Sequence, residues 1–208
     1  MTDRPITLYH APRTRSSGVL ALLEELGAPY ALHVLDHSKG EHRMPAFLAV
    51  NPLGKVPTLK DGAAVVTEQV AIFIHLADLF PTAGLAPALG DPDRGPYLRW
   101  LVFYAAAFEP AVVDRAMKRE PGTRAMSPYG EFEAVLDTVS AALTPGPYLL
   151  GERFSAADIL WGGALGWTTG FKIVPERPEF MAYARRVAER PAVQRARVKD
   201  EALAATEG

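Results

Sequence analysis

Apolar and polar side chains alternate through Ile6-Thr7-Leu8-Tyr9-His10, a period of two that predicts a strand. Ala11-Pro12 breaks it, and Arg13-Thr14-Arg15-Ser16-Ser17 leads into a different rhythm. Val19, Leu22, Leu23 and Leu26 fall at i, i+3, i+4 and i+7, the buried stripe of a helix, with Gly27 as its left-handed cap. Tyr30, Leu32 and Val34 alternate as a second strand. A helix joining two strands in this way implies a parallel pair and a right-handed crossover. A short helix is expected over 45–50. Residues 56–59 and 64–67 then flank Asp61-Gly62, a hairpin signal, and Val70, Phe73, Ile74 and Ala77 restore the helical stripe. The predicted order is βαβ-α-ββα.

Beyond this point the pattern changes. Pro81, Gly84, Pro87, Gly90, Pro92, Gly95 and Pro96 crowd into a stretch that reads as a linker. After it every periodic segment is helical. Residues 97–118 predict one long helix, apolar over Trp100-Leu101-Val102-Phe103-Tyr104 and kinked at Pro110. A loop over 119–128 follows, then a stripe of Phe132, Val135, Leu136, Val139 and Leu143 that stops at Thr144-Pro145-Gly146-Pro147. Ser155 and Asp158 have the spacing of a capping box, in which hydroxyl and carboxylate satisfy the first backbone N–H groups of a helix. Asp158 is therefore read as structural and not as a catalytic acid. Two last helices, over 178–189 and 191–204, each begin with a proline in the first turn. The expected organisation is an α/β domain over 1–80, a linker over 81–96 and an all-α domain over 97–208.

Composition narrows the chemistry. At 49% hydrophobic and 22% charged, the 208-residue chain has the makeup of a globular protein. Its net charge of −2 makes no electrostatic case for nucleic acid or an anionic membrane. There are no cysteines, which excludes disulfides, thiolate metal sites and a protein thiol nucleophile. If a thiol reacts here, the substrate brings it. His10, His33, His37, His42 and His75 form no HExxH motif, so no metal is expected. Met1-Thr2-Asp3-Arg4-Pro5 lacks the layout of a signal peptide and no apolar run has membrane-spanning length, so a cytoplasmic location is expected.

The candidate chemistry centres on Asn51-Pro52-Leu53-Gly54-Lys55-Val56-Pro57-Thr58-Leu59, a turn running into a short strand that carries a proline. Proline removes a backbone donor and belongs at a strand's edge, start or bulge. A cis bond at Val56-Pro57 would leave the Val56 N–H and C=O free to pair with another extended backbone, the strand-addition mode of peptide recognition. Glu68 and Gln69 follow where a strand ends and a helix begins, and a helix N-terminus favours an anion such as a ligand carboxylate.

These residues resemble the thioredoxin-like N-terminal domain of glutathione transferases, and Ser155-x-x-Asp158 resembles the opening of a core helix in that family's C-terminal domain. The resemblance covers roughly 6–204. It implies the glutathione transferase fold, a thioredoxin-like α/β domain followed by an all-helical one, with glutathione as co-substrate and a homodimeric assembly. It further implies that Val56, preceding Pro57, pairs with the cysteinyl backbone. Lys55 and His42 then reach the glycyl carboxylate, and Glu68 and Gln69 grip the γ-glutamyl end.

A glutathione thiol has a pKa near the free-cysteine value of roughly 8.5, so a donor to the sulfur is needed to favour thiolate at neutral pH. The family's serine and cysteine types carry that group in the first βα turn, which points to Thr14, Arg15 and Ser16. Tyr9 is the alternative offered by the tyrosine type. Ser16 and Ser17 read equally well as helix N-caps. The electrophile site is expected between the domains, with His10, Trp100, Tyr104, Phe108, Trp167 and Phe171 as candidates. Gly18 departs from the family, and a glycine inside a helix suggests a close approach by a second subunit or a bulky substrate. The expected activity is attack of the glutathione thiolate on small hydrophobic electrophiles, of a bacterial serine- or threonine-like type. The alternatives are a glutathione-dependent isomerase or dehalogenase, and a non-catalytic binding protein on the same scaffold.

Overall fold

The computed structural model describes residues 5–120 and 122–205, so Met1-Thr2-Asp3-Arg4, read above for a leader, lies outside the described residues. The chain forms two compact units, Met1–Ala83 together with Arg190–Gly208, and Gly84–Glu189.

The first unit is built on a mixed sheet. β1 (Ile6–His10) pairs in parallel with β2 (Ala31–Val34) and antiparallel with β3 (Thr58–Asp61), and β3 pairs antiparallel with β4 (Ala64–Val66). The strand order is β2-β1-β3-β4. The alternation in β1 has the consequence its pattern predicts: Ile6, Leu8 and His10 are buried while Thr7 and Tyr9 lie on the other face. Leu8 stands opposite Leu32 on one side and Leu59 on the other. α1 (Ser16–Leu26) crosses from β1 to β2 and ends on Gly27, whose φ of 62° is the left-handed cap expected. α2 (Pro45–Leu48) is short, and α3 (Gln69–Leu79) follows β4 and packs against α1. This is the thioredoxin-like arrangement.

The last helix, α9 (Pro191–Ala204), also packs on α1, so the end of the chain belongs to the first unit. Glu24 of α1 is the hub of that contact: it accepts from Lys199 and from Arg195 Nε at 3.1 Å. Glu25 pairs with Arg190 through both guanidinium arms.

The second unit is helical. α4 (Arg94–Phe103) starts three residues before the predicted Tyr97 and places Pro96 in its first turn, where a missing N–H costs no hydrogen bond. It runs through a π-helical turn (Tyr104–Phe108) into α5 (Glu109–Ala116). Pro110 has no N–H for the carbonyl one turn back, and the turn before it is the one that widens. α6 (Phe132–Leu143), α7 (Ala156–Gly170) and α8 (Pro178–Ala188) complete the unit. α7 is central. Its Trp161 is fully buried, meets Trp100, Tyr104 and Phe108, and donates Nε1–H to the Trp100 carbonyl at 3.0 Å. α7 approaches α8 closely because Gly162 has no side chain: a Cβ there would sit 2.5 Å from the Cβ of Val187.

Both arms of the Ser155–Asp158 capping box are present at the start of α7. The buried Asp158 also accepts from the Leu149 N–H at 2.9 Å and the Tyr183 hydroxyl at 2.7 Å. Burial raises its carboxyl above the ordinary range against the pull of these donors, and Tyr183 is pushed up as well, first by its own burial. With every donor turned inward to the fold, this carboxylate is structural.

Candidate functional site

The loop before β3 is organised by one buried amide. Asn51 Nδ2 donates to the Lys55 carbonyl at 2.9 Å and to Thr58 Oγ1 at 3.0 Å, and its Oδ1 accepts from the Leu53 N–H at 3.1 Å. Thr58 in turn donates to the Lys55 carbonyl at 2.9 Å. Gly54 closes the turn with φ +61°, and a Cβ there would lie 2.7 Å from the His42 carbonyl oxygen, so conformation and space both require glycine. The Val56–Pro57 bond is cis. β3 begins only at Thr58, which leaves Val56 outside the strand ladder and half-buried, with Pro57 buried behind it.

Lys55 is exposed beside this loop. The His37 and His42 rings meet at a tilt of 49° with centroids 4.3 Å apart. Burial lowers the His37 pKa, and the neighbouring His42 and Lys55 charges lower it further while Asp36 opposes them. Three basic groups therefore share one locality. His42 Nδ1 is buried without a hydrogen-bond partner among the described residues.

At the start of α3, Glu68 is exposed and adopts φ 64°, ψ 116°, the left-handed side of the map that side chains rarely enter. Gln69 donates Nε2–H to the Arg15 carbonyl at 2.9 Å, tying α3 to the turn after β1. Gly18 explains how it gets there: a Cβ on residue 18 would lie 2.9 Å from that nitrogen. The close approach predicted from Gly18 is made by Gln69 of the same chain.

The turn between β1 and α1 holds a hydrogen-bonded chain of side chains. Thr14 Oγ1 lies 2.8 Å from Ser16 Oγ, which lies 2.8 Å from His10 Nδ1. The Ala11 carbonyl accepts from Thr14 at 2.7 Å and from Ser16 at 3.0 Å, and the Ala11 N–H donates to Ser16 Oγ at 3.1 Å. His10 and Ser16 are fully buried, Thr14 is half-buried and Arg15 is exposed. Neither serine caps the helix: α1 has no side-chain cap, and Ser17 donates instead to Asp200 at 2.7 Å. Tyr9 lies on the opposite face from His10, with its ring against His33 and Phe47.

Asp200 is the residue that sequence reasoning missed. It comes from α9, 187 positions after Arg13, and accepts from the Arg13 backbone N–H at 3.0 Å and from the Ser17 hydroxyl, while its Oδ1 lies 3.1 Å from His10 Nε2. Burial pushes its carboxyl up, but the His10, Ser17 and Arg13 donors outweigh burial and hold it below the usual aspartate value. In the sequence it stands in Lys199-Asp200-Glu201, a run that reads as a solvated helix face.

The aromatic candidates of the second unit divide by exposure. Trp100, Tyr104 and Phe108 are buried in the cluster around Trp161. Trp167 and Phe171, with ring centroids 6.1 Å apart near the end of α7, reach the surface of that unit.

Comparison with known proteins agrees with this geometry. The family described as glutathione S-transferase, N-terminal domain, matches residues 4–78, and its C-terminal domain family matches residues 110–186. Glutathione S-transferase GstA of Escherichia coli O157:H7 is 30% identical over 190 residues, 90% of this chain and 94% of that one. Among solved structures, a glutathione transferase from Methylococcus capsulatus str. Bath is 32% identical with a TM-score of 0.79, over 95% of this chain and 99% of that one. A sphingomonad glutathione S-transferase complexed with glutathione is also 32% identical, with a TM-score of 0.77 over 94% and 98% of the two chains. Two domain matches in the right order, relatives aligned end to end and the loop–turn–helix geometry of the first unit lead to one assignment: the chain belongs to the glutathione S-transferase family.

Proposed function

We propose that the protein binds glutathione on its first unit and transfers the thiolate to small hydrophobic electrophiles. The observation that carries this reading is Val56 standing outside the ladder on the loop pinned by Asn51, with its backbone available for an extended peptide. The cysteinyl backbone of glutathione fits that role. Lys55 and His42, grouped with His37, supply positive charge for the glycyl carboxylate. Glu68 holds the γ-glutamyl amine, and its unusual backbone conformation is the kind of strain that functional residues carry. Gln69 contributes by fixing the α3 N-terminus to the Arg15 carbonyl, while the exposed end of α3 favours the γ-glutamyl carboxylate.

For the sulfur we assign a serine- or threonine-like turn in which Thr14 is the hydroxyl that reaches the surface, Arg15 adds positive charge, and Ser16 stands behind Thr14 as its partner. A hydroxyl donating to sulfur and a nearby cation both favour the thiolate. On the electrophile side, Trp167 and Phe171 are the exposed aromatic candidates, whereas Trp100, Tyr104 and Phe108 are packed in the helical core around Trp161. A homodimer is the expected assembly, to be checked as twice the 22.5 kDa chain mass by sedimentation equilibrium.

The direct test is calorimetric titration of glutathione into the native protein and into Glu68→Gln, followed by turnover with a halodinitrobenzene. Glu68→Gln is expected to weaken glutathione binding about tenfold or more, the loss of one charge-assisted contact. An unchanged affinity removes Glu68 from the site. A native protein that does not bind glutathione at all ends the reading.

A further inference from the structure

The side chains around His10 form a continuous path. It begins at Thr14 Oγ1, passes to Ser16 Oγ at 2.8 Å and to His10 Nδ1 at 2.8 Å, and ends where His10 Nε2 meets Asp200 Oδ1 at 3.1 Å. His10 and Ser16 have no exposed surface, and Asp200 is 7% exposed. A carboxylate facing Nε2 keeps the proton on that nitrogen, which leaves Nδ1 to accept from the Ser16 hydroxyl. Each hydroxyl carries a single proton and also has the Ala11 carbonyl in reach, 2.7 Å from Thr14 and 3.0 Å from Ser16, so the path is connected when both turn from that carbonyl, Thr14 to Ser16 Oγ and Ser16 to His10 Nδ1. The Nε2 contact is close but falls short of hydrogen-bond geometry, as a charge contact that strengthens when the ring becomes cationic.

We propose that Thr14, Ser16 and His10 are a relay that receives the proton of the thiol, and that Asp200, on the last helix, is the positioning residue that makes His10 its acceptor. The inference rests on the glutathione reading above. In the balanced step the S–H bond breaks and the sulfur keeps the electron pair. The proton goes to Thr14 Oγ1 as the Thr14 proton moves to Ser16 Oγ and the Ser16 proton moves to His10 Nδ1. Both hydroxyls end intact, and the charges are one thiolate and one imidazolium facing the Asp200 carboxylate. The Arg13 N–H and the Ser17 hydroxyl hold that carboxylate in place.

Charged groups on the elements packed around the path are committed elsewhere. On β3, Asp61 pairs with His75, and on β2 the exposed His33 ring lies against Tyr9 on the other face of the sheet. On α1, Glu24 is held by Lys199 and Arg195 and Glu25 by Arg190. On α9, Glu201 pairs with Arg197. Arg13 and Arg15 lie on the turn with exposed side chains. The Asp200 carboxylate is thus the charge in contact with His10.

The test is ultraviolet titration of the thiolate of bound glutathione in the native protein, Asp200→Asn and Glu24→Gln, with glutathione affinity by calorimetry and folding by thermal melting. Asp200→Asn is expected to raise the bound-thiol pKa by about one unit, a tenfold loss of thiolate on the acid side, with affinity changed less than twofold. Glu24→Gln weakens the α1–α9 contact made through Lys199 and Arg195 but leaves Asp200 all its own partners, so it is expected to lower the melting temperature and leave the thiol titration in place. Asp200→Glu is expected to restore most of the shift. A thiol titration unmoved by Asp200→Asn, or moved equally by Glu24→Gln, overturns the relay. Should Asp200→Asn fail to fold, His10→Gln gives the same reading, and an unmoved titration there overturns it equally. Absence of glutathione binding by the native protein is seen before any variant is made. It defeats the functional reading and takes the relay with it.

Discussion

Asn51 holds the loop that presents Val56, and it does so with both ends of one side chain. Its replacement by alanine removes three hydrogen bonds made by a side chain that is 3% exposed, although Thr58 and the Lys55 carbonyl keep their bond to each other. A hydrogen bond contributes about 0.5–1.5 kcal/mol net, so Asn51→Ala is expected to destabilise the protein by roughly 2–4 kcal/mol in urea unfolding and to weaken glutathione binding. The importance of this residue was partly legible. Asn-Pro and Leu-Gly announced a turn, whereas the amide's three partners lie up to seven residues away and are brought to it only by the turn's closure. Gly18 shows the same limit. A glycine inside an apolar stripe signals a close approach, but the neighbour turned out to be Gln69, delivered by a different helix.

The contact of α1 with α9 loses stability in acid, because its carboxyls are held below their ordinary pKa. Burial pushes Glu24 up, but Lys199, Tyr30 and Arg195 outweigh it and hold the carboxyl below its ordinary value. Asp200 is lowered in the same way by His10, Ser17 and the Arg13 N–H. A carboxyl lowered on folding contributes stability above its unfolded pKa, and that contribution is lost as pH falls through the folded value. Stability against urea is therefore expected to be insensitive to these groups above about pH 5 and to fall as pH drops below about 4. Asp200→Asn, measured over the same range, is expected to flatten part of that fall. The Ser155–Asp158 box behaves oppositely as an element, because burial raises Asp158 and its ionised form is held by donors against that cost. Helix boundaries were largely visible in the chain, since Gly27, Pro178 and Pro191 mark ends through backbone constraints that act locally. The π-helical turn was not. Pro110 predicted a disturbance in the long helix, and which register the preceding turn would take depends on how Trp100, Tyr104 and Phe108 pack around Trp161.

At the scale of the molecule, the last helix matters to the first unit more than its distance along the chain suggests. The sequence reading groups 97–208 as one helical domain, while α9 covers α1 and sends Asp200 to the turn after β1. Truncation after Glu189 removes that cover together with the Arg190, Arg195 and Lys199 contacts to Glu24 and Glu25. The shortened chain is expected to melt at a lower temperature and to lose retention on a glutathione resin, although residues 4–78, the matched N-terminal domain, stay complete. Retention equal to that of the full chain shows that α9 has no part in the site. No helix among the described residues is long and apolar enough to cross a membrane.

The sequence by itself determined the order of elements, the parallel first pair and the hairpin of the sheet, the helical second half and the loop from Asn51 to Leu59. These follow from short-range causes: side-chain periodicity, proline and glycine backbones, and capping spacings that act within one or two turns. Only the tertiary structure decided what those elements bring together. It buried Ser16 against His10, placed Gln69 in the space left by Gly18, and set Asp200 beside a turn 187 positions away. Such contacts depend on which faces pack, and the charge pattern of α9 carries no local mark of the one carboxylate that is turned inward.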